Sequence, residues 1–133
     1  MISIIIPTFN EEAYIHSLVI YLTEHGGGYV QEIIVSDGGS ADNTLQLASA
    51  AGAHAVISPQ KGRAAQMNFG ASLATGGILY FVHADSFPPV SFAKNIQDAV
   101  QNGFDFGRYR TEFDSKKFIL KLNAFFTRFV LFV

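Results

Sequence analysis

The chain contains no cysteine and no tryptophan. The first absence excludes disulfide scaffolds, thiolate metal sites and cysteine nucleophiles, and it fits a reducing compartment. Lysine and arginine are missing from residues 1–60, where six acids give −6; residues 61–133 hold all nine basic residues against five acids, giving +4, for a net charge of −2. With a pI near 6.0 there is no basic surplus of the kind a general nucleic-acid binder carries, so no nucleic-acid partner is expected. Any anion has to be met by the second half. The start, Met1-Ile2-Ser3-Ile4-Ile5-Ile6-Pro7, has no basic n-region and no small-residue cleavage site; it reads as a cytoplasmic first strand and not as a secretory signal. What is present is 133 residues with 49% apolar and 15% charged side chains, enough for a single domain with a sizeable core.

Short apolar runs alternate with helical patterns along most of the chain. Ile2 to Ile6 is a β-branched run stopped by Pro7, suited to a buried strand. Thr8 or Asn10 can cap a helix with Glu11 and Glu12 in its first turn and Ile15, Leu18, Val19 and Leu22 at helical spacing, ending at Gly26-Gly27-Gly28. Val30 to Ser36 predicts a second strand, Asp42 to Ala51 a helix, Ala53 to Ser58 a third strand and Arg63 to Ala74 a helix of small residues. Ile78 to Val82 predicts a fourth strand, followed by a helix from Pro88-Pro89 to Asn102-Gly103. This order implies an α/β domain, a doubly wound and mostly parallel sheet with helices on both faces, whose ligands bind beyond the carboxyl ends of the strands. A further strand is expected from Phe104 to Asp114. Residues 115–133 are expected to form an apolar helix: twelve of the sixteen residues from Phe118 are apolar. Lys117, Lys121 and Arg128 fall within about 40° on a helical wheel. That segment is too short and interrupted for a span of about 20 apolar residues; it suits a core, a homo-oligomer interface or contact with a membrane surface.

Three polar clusters stand at or near the strand ends. Asp37-Gly38-Gly39-Ser40-Ala41-Asp42 offers a carboxylate to a base or ribose and glycines that allow close backbone approach, or else a tight turn with an N-cap. His83-Ala84-Asp85-Ser86 offers Asp85 to a hard divalent cation that takes its other ligands from phosphate and water, with His83 as a weaker ligand or a hydrogen-bond partner; the plain alternative is a helix cap. Lys61-Gly62-Arg63 brings the first positive charges to the start of a helix, an anion site or a solvated loop. A P-loop, a G-x-G-x-x-G turn and a G-x-S-x-G elbow are all absent. A receiver-type acceptor aspartate is also missing, since Ser58 and Pro59 stand after the third strand.

Taken in order, Ser3-Ile4-Ile5-Ile6-Pro7-Thr8-Phe9-Asn10-Glu11-Glu12, Val35 to Thr44, Gly62-Arg63-Ala64-Ala65-Gln66-Met67-Asn68 and His83-Ala84-Asp85-Ser86 resemble a family 2 glycosyltransferase of the GT-A fold. The Gly-Arg-Ala-x-Gln-Met-Asn and His-Ala-Asp forms resemble the small bacterial branch described as radical-SAM/selenodomain-associated. The resemblance implies inverting transfer of a sugar from a nucleoside diphosphate sugar, a UDP- or GDP-sugar, to an acceptor hydroxyl. It implies that Pro7, Thr8, Asn10 and Glu12 line the nucleotide pocket, with Gly38 beside them. Asp37 would contact the base or ribose, and Arg63 the base or the diphosphate. Asp85 would match the last acid of the D-x-D motif and hold Mg²⁺ or Mn²⁺, with His83 in place of the first acid. The acidic motif that carries the family's general base is not found: Asp105, Glu112 and Asp114 are the acids beyond Asp98, and no base is assigned. The chain is therefore expected to be a nucleotide-sugar-binding domain, incomplete at its C-terminus, cytoplasmic or at the inner face of the membrane. The alternative is a nucleotide-sugar-binding or self-associating module without transfer activity.

Overall fold

The computed structural model describes residues 1–105 and 107. In chain order these form β1 (Ile2–Thr8), α1 (Ile15–Gly26), a 3₁₀ turn at Gly27–Tyr29, β2 (Val30–Asp37), α2 (Thr44–Ala50), β3 (His54–Ile57), α3 (Arg63–Leu73), β4 (Ile78–Phe81) and α4 (Phe92–Gln101). All strand pairs are parallel and the sheet order is β3-β2-β1-β4. The chain winds outward from β1 to β3, then crosses back through α3 to place β4 on the other side of β1. That reversal makes the carboxyl ends of the central strands the natural ligand position.

The two faces of the sheet are filled differently. Ile2, Ile4 and Ile6 of β1, with Ile33 and Val35 of β2, point into a core completed by Ile15, Leu18, Val19 and Leu22 of α1, Ala48 of α2, and Phe92, Ala93 and Ile96 of α4. Ile5 and Ser36 point to the opposite face, against α3. The helix approaches closely there because residue 70 is glycine: a Cβ at Gly70 would lie 2.7 Å from Ile5 Cγ2. Among the described residues no helix is long and apolar enough to cross a membrane.

Two expectations are corrected. Pro7 does not end β1, which runs on to Thr8 with Pro7 paired to Ser36. The carbonyls of Met1 and Ile5 accept hydrogen bonds from Ile78 and Val82, so the odd-numbered residues of β1 direct their backbone groups toward β4. The pairing of β1 with β4 ends at Ile5, beyond which Pro7 has no N–H to continue that ladder, while pairing with β2 carries the strand on to Thr8. Glu11 and Glu12 are not in the first turn of α1, which holds no acid. The chain turns first, with Glu11 O accepting from the N–H groups of Tyr14 and Ile15, because the backbone N–H groups of Glu11 and Glu12 are engaged by the loop after β2. The expected strand from Phe104 to Asp114, the helix over 115–133 and the Lys117/Lys121/Arg128 stripe lie outside the described residues, apart from Phe104, Asp105 and Gly107.

The amino end of the sheet is held by Glu32. One carboxylate oxygen accepts from the Ser3 hydroxyl (2.7 Å), the Thr75 N–H (2.6 Å) and the Thr75 hydroxyl (2.9 Å), while Ser3 Oγ accepts from Gly76 N–H (2.8 Å). The Ser3 hydrogen bond, and after it those of Thr75 and Gly76, lower the Glu32 pKa against the opposing effect of burial. A carboxylate with a lowered folded pKa stabilises the fold above its unfolded value of about 4.3, and that contribution is lost as pH falls through the folded value. Glu32→Gln is expected to cost about 1 kcal/mol at pH 7, with the gap narrowing as pH falls through the lowered folded value; urea denaturation across an acid pH series measures it, and a gap that did not change with pH would refute the assignment. Ser36 Oγ, by contrast, is buried with no hydrogen-bond partner. Ser36→Ala is expected to leave stability within about 0.5 kcal/mol of the parent or to raise it, read from the same denaturation curves.

Candidate functional site

The site is built where β1 and β2 end. Asp37 is fully buried, and its carboxylate accepts from the Thr8 hydroxyl (2.8 Å), the Ser40 hydroxyl (2.6 Å), and the N–H groups of Gly39 (3.0 Å) and Ser40 (2.7 Å). Four donors occupy the lone-pair positions a carboxylate offers. The two loops then cross-link: Asn10 N–H donates to Ser40 Oγ (2.8 Å), Asn10 Oδ1 accepts from Ala41 N–H (2.9 Å), Glu11 N–H donates to Thr44 Oγ1 (2.9 Å) and Glu12 Oε2 accepts from Asn43 N–H (3.2 Å). Asn10 adopts φ 52° to do this, a left-handed conformation that asparagine tolerates better than most side chains.

The third loop is joined to this pair by Gln66 of α3, which is 5% exposed. Its Nε2 donates to the carbonyls of Thr8 (2.7 Å) and Ser36 (3.0 Å), and its Oε1 accepts from Gly62 N–H (3.2 Å). Gly62, at φ 118°, precedes α3, and no side chain caps the helix. The first-turn N–H donors are therefore left for solvent or an anion. Lys61 and Arg63 flank this end, both exposed and neither in an ion pair; among the described residues the one salt bridge joins Lys94 and Asp98. Pro7, Thr8, Phe9, Glu11, Gly38, Lys61, Gly62, Arg63 and Gln66 line an open cleft of about 340 Å³. The Phe9 ring, 52% exposed, lies under the Lys61 ammonium at 5.6 Å.

His83 and Asp85 follow β4, outside the lining of that cleft but within electrostatic reach of it. Loss of hydration lowers the His83 pKa, the Arg63 guanidinium lowers it further, and the Asp85 carboxylate opposes both. Glu11 is shifted the other way: desolvation raises its pKa, followed by repulsion from Asp85 and Asp42. Among the described residues no three His, Asp or Glu side chains are grouped to hold a metal by themselves. A cation here would need oxygen ligands from a bound phosphate or water.

The expected residues divide into two groups. Pro7, Thr8, Gly38 and Arg63 line the cleft. Asn10, Glu12 and Asp37 do not; the Asp37 carboxylate, Asn10 Oδ1 and Glu12 Oε2 hold the two loops together. Lys61 and Gly62, read from sequence as part of a candidate anion site, line it too, and Phe9, Glu11 and Gln66 line it without having been assigned roles from sequence, although all three stand inside the motifs quoted above.

A parallel sheet of order β3-β2-β1-β4 with helices on both faces is an α/β domain of the GT-A, nucleotide-sugar transferase type. The family model for glycosyl transferase family 2 matches residues 3–130, and the chain belongs to that family. It is 35% identical over 96 residues to glucosyl-3-phosphoglycerate synthase of Mycolicibacterium smegmatis, covering 66% of this chain and 32% of that protein. The same named protein of Mycobacterium tuberculosis H37Rv is 35% identical over 98 residues, with 66% and 30% covered. The chain thus spans about a third of the length of these curated relatives. A crystal structure of the M. tuberculosis synthase with Mn²⁺, UDP and glucosyl-3-phosphoglycerate superposes with a TM-score of 0.70 at 28% identity, over 80% of this chain and 42% of that one. The structure of that enzyme with UDP gives 0.71 at 28%, over 84% and 45%.

The electrostatics give a test without any ligand. His83 is expected to titrate below its ordinary value of about 6.5 in a ¹H–¹⁵N experiment. Arg63→Ala should raise the midpoint by removing a repelling cation, and Asp85→Asn should lower it further by removing an attracting anion; shifts of the opposite sign would show that the three groups do not share one site.

Proposed function

We propose that this chain is the donor-binding portion of a metal-assisted glycosyltransferase, taking a nucleoside diphosphate sugar and, by likeness to the relatives, a UDP-sugar. The observation that carries the proposal is the pairing of two unpaired cations, Lys61 and Arg63, with the uncapped start of α3 at the cleft formed by Pro7, Thr8 and Gly38. Backbone N–H groups and paired basic side chains suit a diphosphate, and the exposed face of Phe9 suits a base. The solved relatives with UDP and Mn²⁺ support the same reading.

The residues beyond β4 fit a hard divalent ion. Asp85 is exposed and its hydrogen bond to the Ser86 hydroxyl is long, 3.4 Å, while Glu11 is repelled by Asp85 and Asp42. Carboxylate oxygens with uncompensated charge suit Mg²⁺ or Mn²⁺, which complete their shells with phosphate and water. Asp85 would hold the ion, with His83 beside it. The ion would supply charge neutralisation to the departing diphosphate. Arg63 and Lys61 would orient the same diphosphate from the other side, and Thr8 and Gly38 would bound the nucleotide. The inverting course implied by the sequence resemblance calls for a base near the acceptor. Asp98 is engaged by Lys94, and neither it nor Asp105 lines the cleft, so no residue is given that role. The non-catalytic module is the second reading; among the described residues no acid beyond β4 other than Asp85 is placed at the site.

Isothermal titration of UDP with and without Mn²⁺ tests the proposal. UDP should bind, Mn²⁺ should strengthen binding by about tenfold or more, Asp85→Ala should abolish that increment, and Arg63→Ala should weaken binding in either condition by about tenfold. A folded chain that bound no UDP, or an Asp85→Ala variant with an intact Mn²⁺ increment, would overturn it.

A further inference from the structure

We infer that Gln66 is the positioning residue of the diphosphate side of this site, setting the pose of Lys61-Gly62-Arg63 relative to the ends of β1 and β2. This rests on the donor-binding reading above. Gln66 is the side chain that touches all three components: it donates to a β1 carbonyl and a β2 carbonyl and accepts from Gly62 N–H between the two cations. Both N–H donors of its amide are used, and the group is almost fully buried, so its orientation is fixed by hydrogen bonds it cannot exchange for water. The basic side chains themselves are exposed and unpaired. Their own contacts do little to set where they point, and the backbone between them does more. That backbone is tied to the sheet through one amide oxygen.

Gly38 belongs to the same device. A Cβ at residue 38 would lie 2.7 Å from Gln66 Oε1, 3.0 Å from Cδ and 3.3 Å from Nε2. The φ of Gly38 does not lie in the left-handed region, so backbone conformation does not demand glycine there. The amide of Gln66 does, because it occupies the space a side chain would take. Gly38 and Gln66 thus form a matched pair across the floor of the cleft. A larger residue at 38 would displace the amide and release Gly62 without altering any charge.

The consequence is a separation between diphosphate and nucleoside binding. The affinities of UDP and UMP for the full chain, measured at one fixed Mn²⁺ concentration, read it as a ratio. Gln66→Met keeps the length and bulk of the side chain but removes all three hydrogen bonds; it should lower the UDP-to-UMP affinity ratio about tenfold, whatever the change in UMP affinity itself. Gly38→Ala should lower the same ratio with the glutamine still present, and the double variant should lose little more than either alone, as coupled residues do. If Gln66→Met fails to fold, as seen in its thermal unfolding, Gly38→Ala carries the test. Equal loss of UDP and UMP affinity, or an unchanged ratio in a folded variant, would overturn this inference while the donor-site reading stands. A parent chain with no affinity for either nucleotide would overturn both.

Discussion

A carboxylate buried to zero exposure at the end of a central strand is the constraint around which this end of the molecule is arranged. Among the described residues Asp37 is in no ion pair, and an uncompensated buried charge is among the most destabilising features a fold can hold. Its compensation comes entirely from hydroxyl and amide donors: Thr8 from β1, and Gly39 and Ser40 from the turn that follows Asp37 itself. Taking Thr8 as a partner fixes the end of β1 against the end of β2. Taking Ser40 curls the second loop back toward the first, where Asn10, Glu11 and Glu12 bind it. The Thr8 carbonyl is then held facing α3, accepting from both Gly38 and Gln66. From one charge, three loops from three parts of the chain become one surface.

This arrangement explains which parts of the molecule were legible. The strands could be read because buried parallel strands are short β-branched runs bounded by turn residues, and α3 began where Gly62-Arg63 said it should. Pro7 misled because it interrupts the ladder toward β4 alone, while pairing with β2 carries β1 on to Thr8, a fact of which neighbour lies on which side and not of local sequence. Glu11 and Glu12 looked like a first helical turn because acids favour that position, yet their N–H groups are taken by Asp42 and Thr44, about thirty residues away. Local pattern carries no record of such partners. Asp37, Asn10 and Glu12 illustrate the same limit at the site. A polar cluster at a strand end looks alike whether its groups face a ligand or face another loop, and here the Asp37 carboxylate and Asn10 Oδ1 face another loop. Gln66 erred in the other direction, reading as one more polar residue in a helix of small side chains until its three partners were in place.

The remaining polar groups divide the cleft by sign. Lys61, Arg63 and the start of α3 form a positive side, and Glu11, with Asp85 beyond the lining but acting on it, forms a negative one. The groups do not cancel as ion pairs, since neither cation is bridged, and Glu11 is repelled by its acidic neighbours. A lone diphosphate would gain from the first side and be opposed by the second. A lone divalent ion would meet the reverse. A diphosphate carrying its ion satisfies both sides at once, so on the proposed function each partner raises the affinity of the site for the other by the same factor. His83 modifies that balance. Placed where the family pattern has an acid, and held toward its neutral form by lost hydration and by Arg63, it removes one negative charge from the cation side.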